Sequence, residues 1–69
     1  MTLREIFATN LKRLRQQNCW SQEELADLAE IDRTYVSLLE RAQYSASLDV
    51  VQRIADALGV EPIELLTIK

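Results

Sequence analysis

Residues 21–41 read SQEELADLAEIDRTYVSLLER, and this stretch decides the fold. Ser21 and Glu24 have the spacing of a capping box, in which the Ser hydroxyl takes the third helical amide and the Glu carboxylate returns to the cap amide. A helix therefore starts at Gln22. Leu25, Ala26 and Ala29 give it a narrow buried face of mostly small residues, and the next cap, Asp32, follows after only Glu30 and Ile31. Asp32 opens a second helix that turns Val36 and Leu39 inward and ends near Arg41. Two short helices thus meet across a connection too tight for anything but close packing.

Outward from this pair the helical period continues. Phe7, Leu11 and Leu14 recur at i, i+4 and i+7, and Leu3 and Ile6 extend the stripe backward, so Leu3 to about Gln17 reads as an amphipathic helix with a basic outer face. Asn18, able to adopt the left-handed conformation, is expected to end it. Residues 43–46 form a polar loop. Ser47 then caps a helix with Leu48, Val51, Ile54, Ala55 and Leu58 on one face, and Gly59 stands where a positive φ is wanted. Pro62 suits the first turn of a last helix carrying Ile63, Leu65 and Leu66. No segment alternates as a strand does. The expected fold is all-α, five short helices in one domain over residues 1–69, with a helix-turn-helix at 22–41 that projects its second helix outward.

Composition narrows the function. The chain has 69 residues, a formal net charge of −3, no His, one Cys and one Gly. A single Cys excludes an internal disulfide, and one Cys without His cannot supply a structural zinc site, which takes about four ligands. A single apolar core of this size supplies only about 3–5 kcal/mol, so oligomerisation is the remaining support and a homodimer is expected. One Gly leaves no Gly-rich phosphate loop, and Cys19 has no His to activate it, so it is read as a small buried filler and an enzyme is not expected. No cofactor, metal, small-molecule ligand or membrane contact is implied. No apolar run approaches a membrane span and residues 1–20 lack a signal-peptide pattern, which points to a soluble, cytoplasmic protein.

An acidic balance argues against a nucleic-acid partner until its distribution is read. Residues 1–20 carry +3, 21–32 carry −5, 33–48 carry +1 and 49–69 carry −2. Glu23, Glu24, Asp27 and Glu30 are expected to lie away from any duplex, because carboxylates facing phosphates are repelled.

The residues from Gln22 to Arg41, with Leu11-Lys-Arg-Leu-Arg15 before them and Ser47-Leu and Arg53-Ile-Ala-Asp-Ala-Leu-Gly-Val60 after them, resemble the helix-turn-helix of the phage Cro and C1 repressor family. With D-R-T-Y opening the third helix in a chain of this length, the sequence is most similar to the controller proteins of restriction-modification systems. The resemblance implies a lambda-repressor-like domain that binds a palindromic operator as a homodimer and regulates its own gene and that of a neighbouring endonuclease. The partners implied are double-stranded DNA, a second copy, a second dimer on one operator, and RNA polymerase. A phage-type repressor or antitoxin of the same fold is one alternative, and a scaffold that binds only protein through its acidic surface is another. The resemblance also implies that Arg15 and Glu40 pair to tie the first helix to the end of the third. Three positions depart from the family, with Cys19, Glu30 and Ala42 where glycine is common. Either the backbone differs there or strain on the order of 1 kcal/mol is held at each.

If the third helix enters the major groove, Arg33, Thr34 and Ser37 reach base edges, with Tyr35 more ambiguous. Arg33 leads, because its planar fork matches the O6 and N7 acceptors of guanine; its alternative is a solvated surface charge. Phosphate contacts are expected from Ser21 and Gln22 at a helix N-terminus and from Arg41, Gln43, Tyr44 and Ser45 in the loop. Ser21 is already explained as a cap, whereas Gln22 has no other assignment, and Tyr44 could equally pack over the fourth helix. Val50, Ile63, Leu66 and Ile68 are apolar residues surplus to the core and form the expected two-fold contact.

Overall fold

The structure, a computed structural model, describes residues 1–68. The chain forms α1 (Leu3–Gln17), α2 (Gln22–Ala29), α3 (Arg33–Glu40), α4 (Leu48–Leu58) and α5 (Pro62–Leu66), and no strand among the described residues. The caps read from the sequence are in place. In the capping box of α2, the Ser21 hydroxyl accepts the Glu24 amide at 3.0 Å and the Glu24 carboxylate accepts the Ser21 amide at 2.9 Å. Thr2 and Glu5 build the same box on α1, which pulls the Glu5 carboxyl below its ordinary pKa, chiefly through its bond to the Thr2 amide. Asp32 and Ser47 cap α3 and α4.

One core joins all five helices: Phe7, Leu11 and Leu14 of α1, Leu25, Ala26 and Ala29 of α2, Val36 and Leu39 of α3, Val51, Ile54, Ala55 and Leu58 of α4, and Leu65 of α5. α1 packs on α3 and α5, while α2 packs on α3 and α4. The Asn10 side chain, buried in α1, donates to the carbonyls of Leu65 at 2.9 Å and Thr67 at 2.8 Å, so it satisfies the end of the five-residue α5. Leu48 departs from the reading of α4. It is 83% exposed although it falls on the apolar stripe, because it stands on an open groove that it shares with Leu3 and Phe7 of α1 and that no side chain fills.

The ends of α1 to α4 obey one rule. At Cys19–Trp20, Glu30–Ile31, Ala42–Gln43 and Gly59–Val60 the chain closes a Schellman turn, with the second amide of each pair donating to Arg15, Ala26, Leu38 and Ala55 respectively at 2.9–3.2 Å. The first residue of each pair is left-handed, at φ 58° to 71°, and only one of the four is glycine. The backbone at Ala42 therefore takes the left-handed conformation that suits a glycine and holds the strain. Two expectations are corrected here. Asn18 is not the left-handed residue: at φ −88° it remains in the last turn, where its amide and side chain bond Leu14, and the reversal falls one residue later. Cys19 takes that position and is exposed rather than buried, because the next residue of the turn, Trp20, is the one that packs back on the core.

The paired residues are Arg15 and Glu40. Arg15 meets the Glu40 carboxylate with Nε at 2.6 Å and Nη2 at 3.0 Å, and the side chains are only 11% and 3% exposed. Nη1 donates to the Trp20 carbonyl at 2.7 Å. The bond to Glu40 raises the Arg15 pKa against the opposing effect of burial. One fork thus joins α1, the turn after it and the end of α3.

Two predictions follow from strain and burial. Glu30→Gly and Ala42→Gly should each raise stability by about 0.5–1 kcal/mol in urea denaturation, the relief of a left-handed Cβ exceeding the added chain entropy; a loss in both would show that these positions are unstrained. Glu40→Ala should lower stability by about 3 kcal/mol, because it strands a buried guanidinium, while Arg15→Met combined with Glu40→Leu should recover most of that loss. A Glu40→Ala variant as stable as the parent chain would remove the pair from its anchoring role.

Candidate nucleic-acid interface

α3 begins at Asp32, whose carboxylate accepts the Thr34 amide at 3.2 Å and leaves Arg33 and Thr34 exposed on the first turn. Arg33 makes no hydrogen bond or salt bridge among the described residues, so its planar donor fork is available to a ligand. Ser37, one turn on, is half-buried. Val36 and Leu39 point into the core, which turns Arg33, Thr34 and Ser37 to the other side of the helix.

Tyr35 sits at the border of these faces. Its hydroxyl makes a long contact, 3.4 Å, to the Ser45 carbonyl, and its ring meets that of Tyr44 edge to face with centroids 6.1 Å apart. Tyr44 therefore packs on α3, with more than half of its surface exposed. Gln43 and Ser45 are exposed beside it. Arg41 is exposed and folds its Nε toward the Ser37 carbonyl of its own helix at 3.3 Å. The loop after α3 thus meets that helix at Tyr35, through the Tyr44 ring and the Ser45 carbonyl.

Gln22 requires a correction. It lies at the first position of α2 as expected, yet it has a structural partner: Nε2 donates to Glu40 Oε1 at 3.1 Å. The sequence held no sign of this, since the contact crosses from α2 to the end of α3. Any role at a phosphate falls to its backbone amide or to the second N–H of Nε2, because the side-chain oxygen can only accept. The Ser21 hydroxyl is occupied by the Glu24 amide.

A second element escaped the sequence reading. Arg4 of α1 donates from Nε at 3.1 Å and from Nη2 at 2.9 Å to the Ser45 hydroxyl oxygen. Forty-one positions separate the two residues, and no local spacing could have revealed it. Of the other α1 cations, Arg15 is taken by Glu40 and Arg13 donates to Asn10 Oδ1 at 3.3 Å.

The apolar residues expected at the two-fold contact are also placed. Ile63 and Ile68 are exposed, at 65% and 71%, whereas Val50 and Leu66 are not surplus as expected, being half-buried and packed against the core. Leu66 lines an open groove of about 270 Å³ with Leu3, Phe7, Leu48 and Val51, whereas Ile68 lies in a smaller one with Met1 and Ile6. Among the described residues no helix is long and apolar enough to cross a membrane.

Comparison with known proteins agrees with this geometry. The family model described as Helix-turn-helix matches residues 11–65. A hypothetical transcription factor of Neisseria meningitidis is 44% identical over 93% of the chain, which spans 60% of that relative's length. Control protein C.BamHI of Bacillus amyloliquefaciens is 38% identical over 93% of this chain and 80% of its own. Among solved structures, the restriction-modification controller protein C.AhdI of Aeromonas hydrophila superposes with a TM-score of 0.87 at 42% identity, covering 90% of this chain and 94% of that one. With a helix-turn-helix model spanning most of its length and relatives of this identity, the chain belongs to the Cro/C1-type helix-turn-helix family of DNA-binding regulators.

Proposed function

We propose that this protein is a sequence-specific transcription regulator of the restriction-modification controller kind, which binds a palindromic operator in double-stranded DNA as a homodimer and acts in the cytoplasm on its own gene and that of a neighbouring endonuclease. The observation that carries this reading is Arg33. An exposed guanidinium without a protein partner, on the first turn of a projecting helix, is poorly explained by stability and well explained by guanine recognition. Thr34 and Ser37 read adjacent base edges, with Tyr35 beside them. Arg41, Gln43, Tyr44, Ser45 and the α2 N-terminus at Ser21 and Gln22 hold the phosphates and fix the register. The likeness to C.BamHI and C.AhdI supports the controller assignment.

The dimer is supported by exposed apolar surface and by size. Ile63, Leu66 and Leu48 leave apolar area uncovered at the α4 and α5 end of a chain that supplies only about 3–5 kcal/mol from its own core. Val50 and Ile68 complete the proposed contact. The molecule measures 28 × 22 × 21 Å, and a dimer reading two half-sites of a palindrome is expected to set its α3 helices about 34 Å apart, one DNA turn. Two such dimers on one operator, and contact with RNA polymerase, belong to the same proposal. The chemistry is binding, without a catalytic step or cofactor.

A mobility-shift titration against DNA upstream of the protein's own gene should give salt-dependent binding to a palindrome. Arg33→Ala should lose about 1–3 kcal/mol of specific binding with folding unchanged, and an intact footprint would assign base reading to another residue. Ile63→Glu and Leu66→Glu should sediment as monomers with weaker operator binding; persistence of the dimer in both would place the seam elsewhere.

A further inference from the structure

We infer that Arg4 is a positioning residue for DNA binding: from α1 it pins Ser45 through two N–H donors, and so holds the phosphate-contacting loop of residues 43–46 in its binding shape before DNA arrives. This rests on the proposed function, and its test separates the two.

The loop has few other restraints. Gln43, Tyr44 and Ser45 are exposed, and Ala46 is half-buried. Its start is fixed by the Schellman turn at Ala42 and its end by the Ser47 cap. Between these points Ala46 packs against the core, and among the described residues other side chains reach residues 43–45 in two places. Tyr35 approaches from α3, with the 3.4 Å hydroxyl contact to the Ser45 carbonyl, which is long for an O–H donor, and the ring contact to Tyr44. Arg4 approaches from α1 with the shorter pair, 2.9 and 3.1 Å, both to Ser45 Oγ. Ser45 is therefore held from opposite sides, by its carbonyl from the recognition helix and by its hydroxyl from the first helix.

Arg4 has no salt bridge among the described residues, so nothing but Ser45 explains where its side chain lies. The Arg4 and Ser45 pair also walls the apolar groove opposite Leu48, Val51 and Leu66, so the loop is fastened to the rigid α1 and α4 framework. A loop ordered in advance binds without first losing its conformational freedom, which is the general source of affinity from preorganisation. Two donors on one fork fix a direction, whereas a Lys ammonium holds only a point. This distinguishes positioning from simple attraction of phosphates.

The experiment compares Arg4→Lys, Arg4→Gln, Ser45→Ala and the Arg4→Gln/Ser45→Ala double variant. Amide hydrogen exchange on the free proteins comes first. Residues 43–46 should exchange faster in both Arg4 variants while the α1 and α4 cores are unchanged; equal exchange in the parent chain and both variants overturns the proposal without reference to DNA. Operator binding comes second. Arg4→Lys and Arg4→Gln should both bind about three- to tenfold more weakly, with an unchanged slope of log affinity against log salt. The double variant should be no weaker than its weaker parent. Full affinity in Arg4→Lys, or a slope reduced by about 1.8 in Arg4→Gln, about 0.9 for each copy in the dimer, would make Arg4 a direct phosphate contact instead. Additive losses in the double variant would show that Arg4 does not act through Ser45. If the parent chain binds no DNA, the proposed function fails while the exchange result still stands.

Discussion

The rest of the structure depends on a buried ion pair. Arg15 and Glu40 come from the ends of α1 and α3, and in a chain with one small core they are the polar contact that joins these helices directly. Burying both charges costs solvation, which only good geometry and full hydrogen bonding offset. Here the fork is nearly complete: two donors meet the carboxylate, a third meets the Trp20 carbonyl, and Gln22 supplies a further donor to Glu40. The result is less a gain in stability than a choice of arrangement. The start of α2 and the end of α3 are referred to one point, and the angle at which the recognition helix leaves the body follows from it.

Specificity of arrangement is set against strain elsewhere. Cys19, Glu30 and Ala42 sit at φ near 58° where a glycine would rest without a clash. The Schellman turns persist because Trp20 and Ile31 fold back on the core and offset the local cost, whereas Gln43 has no such apolar contact to make. The Ala42 turn is therefore held mainly by its hydrogen bonds, and it is the turn that launches the loop of residues 43–46. A weakly supported turn there makes side-chain restraint of the loop, by Tyr35 and Arg4, more consequential.

Local chemistry was legible in the sequence, and contacts between distant segments were not. Helix starts at Gln22, Arg33, Leu48 and Pro62 could be read because each depends on a cap within three or four residues. The core face of α2 could be read for the same reason, since Leu25, Ala26 and Ala29 repeat at helical spacing. Leu48 could not, because periodicity says which side of a helix is apolar and not whether a neighbour covers it. That Arg33 and Thr34 stand exposed on the first turn of α3 followed from their distance from the Asp32 cap. The bonds from Gln22 to Glu40 and from Arg4 to Ser45 arise from chain folding alone, and neither pair has a sequence spacing that signals it.

Charge is where that difference matters most. The first twenty residues carry +3, which suggests a basic surface ready for phosphates. In the folded chain Arg15 is neutralised by Glu40, whereas Arg13 and Arg4 keep their charge but are oriented by the neutral oxygens of Asn10 and Ser45. The acidic excess is similarly local. Glu24 closes a cap and Asp32 another, and Glu30 lines a depression with Arg53 and Asp56 of α4. Screening limits what a distant exposed carboxylate can do to a phosphate, since fields fall off within about 8–10 Å at physiological salt. An acidic protein can therefore read DNA when a few cations and amide donors stand at the contact, and the net charge of −3 constrains the number of phosphates held rather than the capacity to hold them. A small number of contacts places a premium on their geometry, and the two-sided restraint of Ser45 serves that geometry.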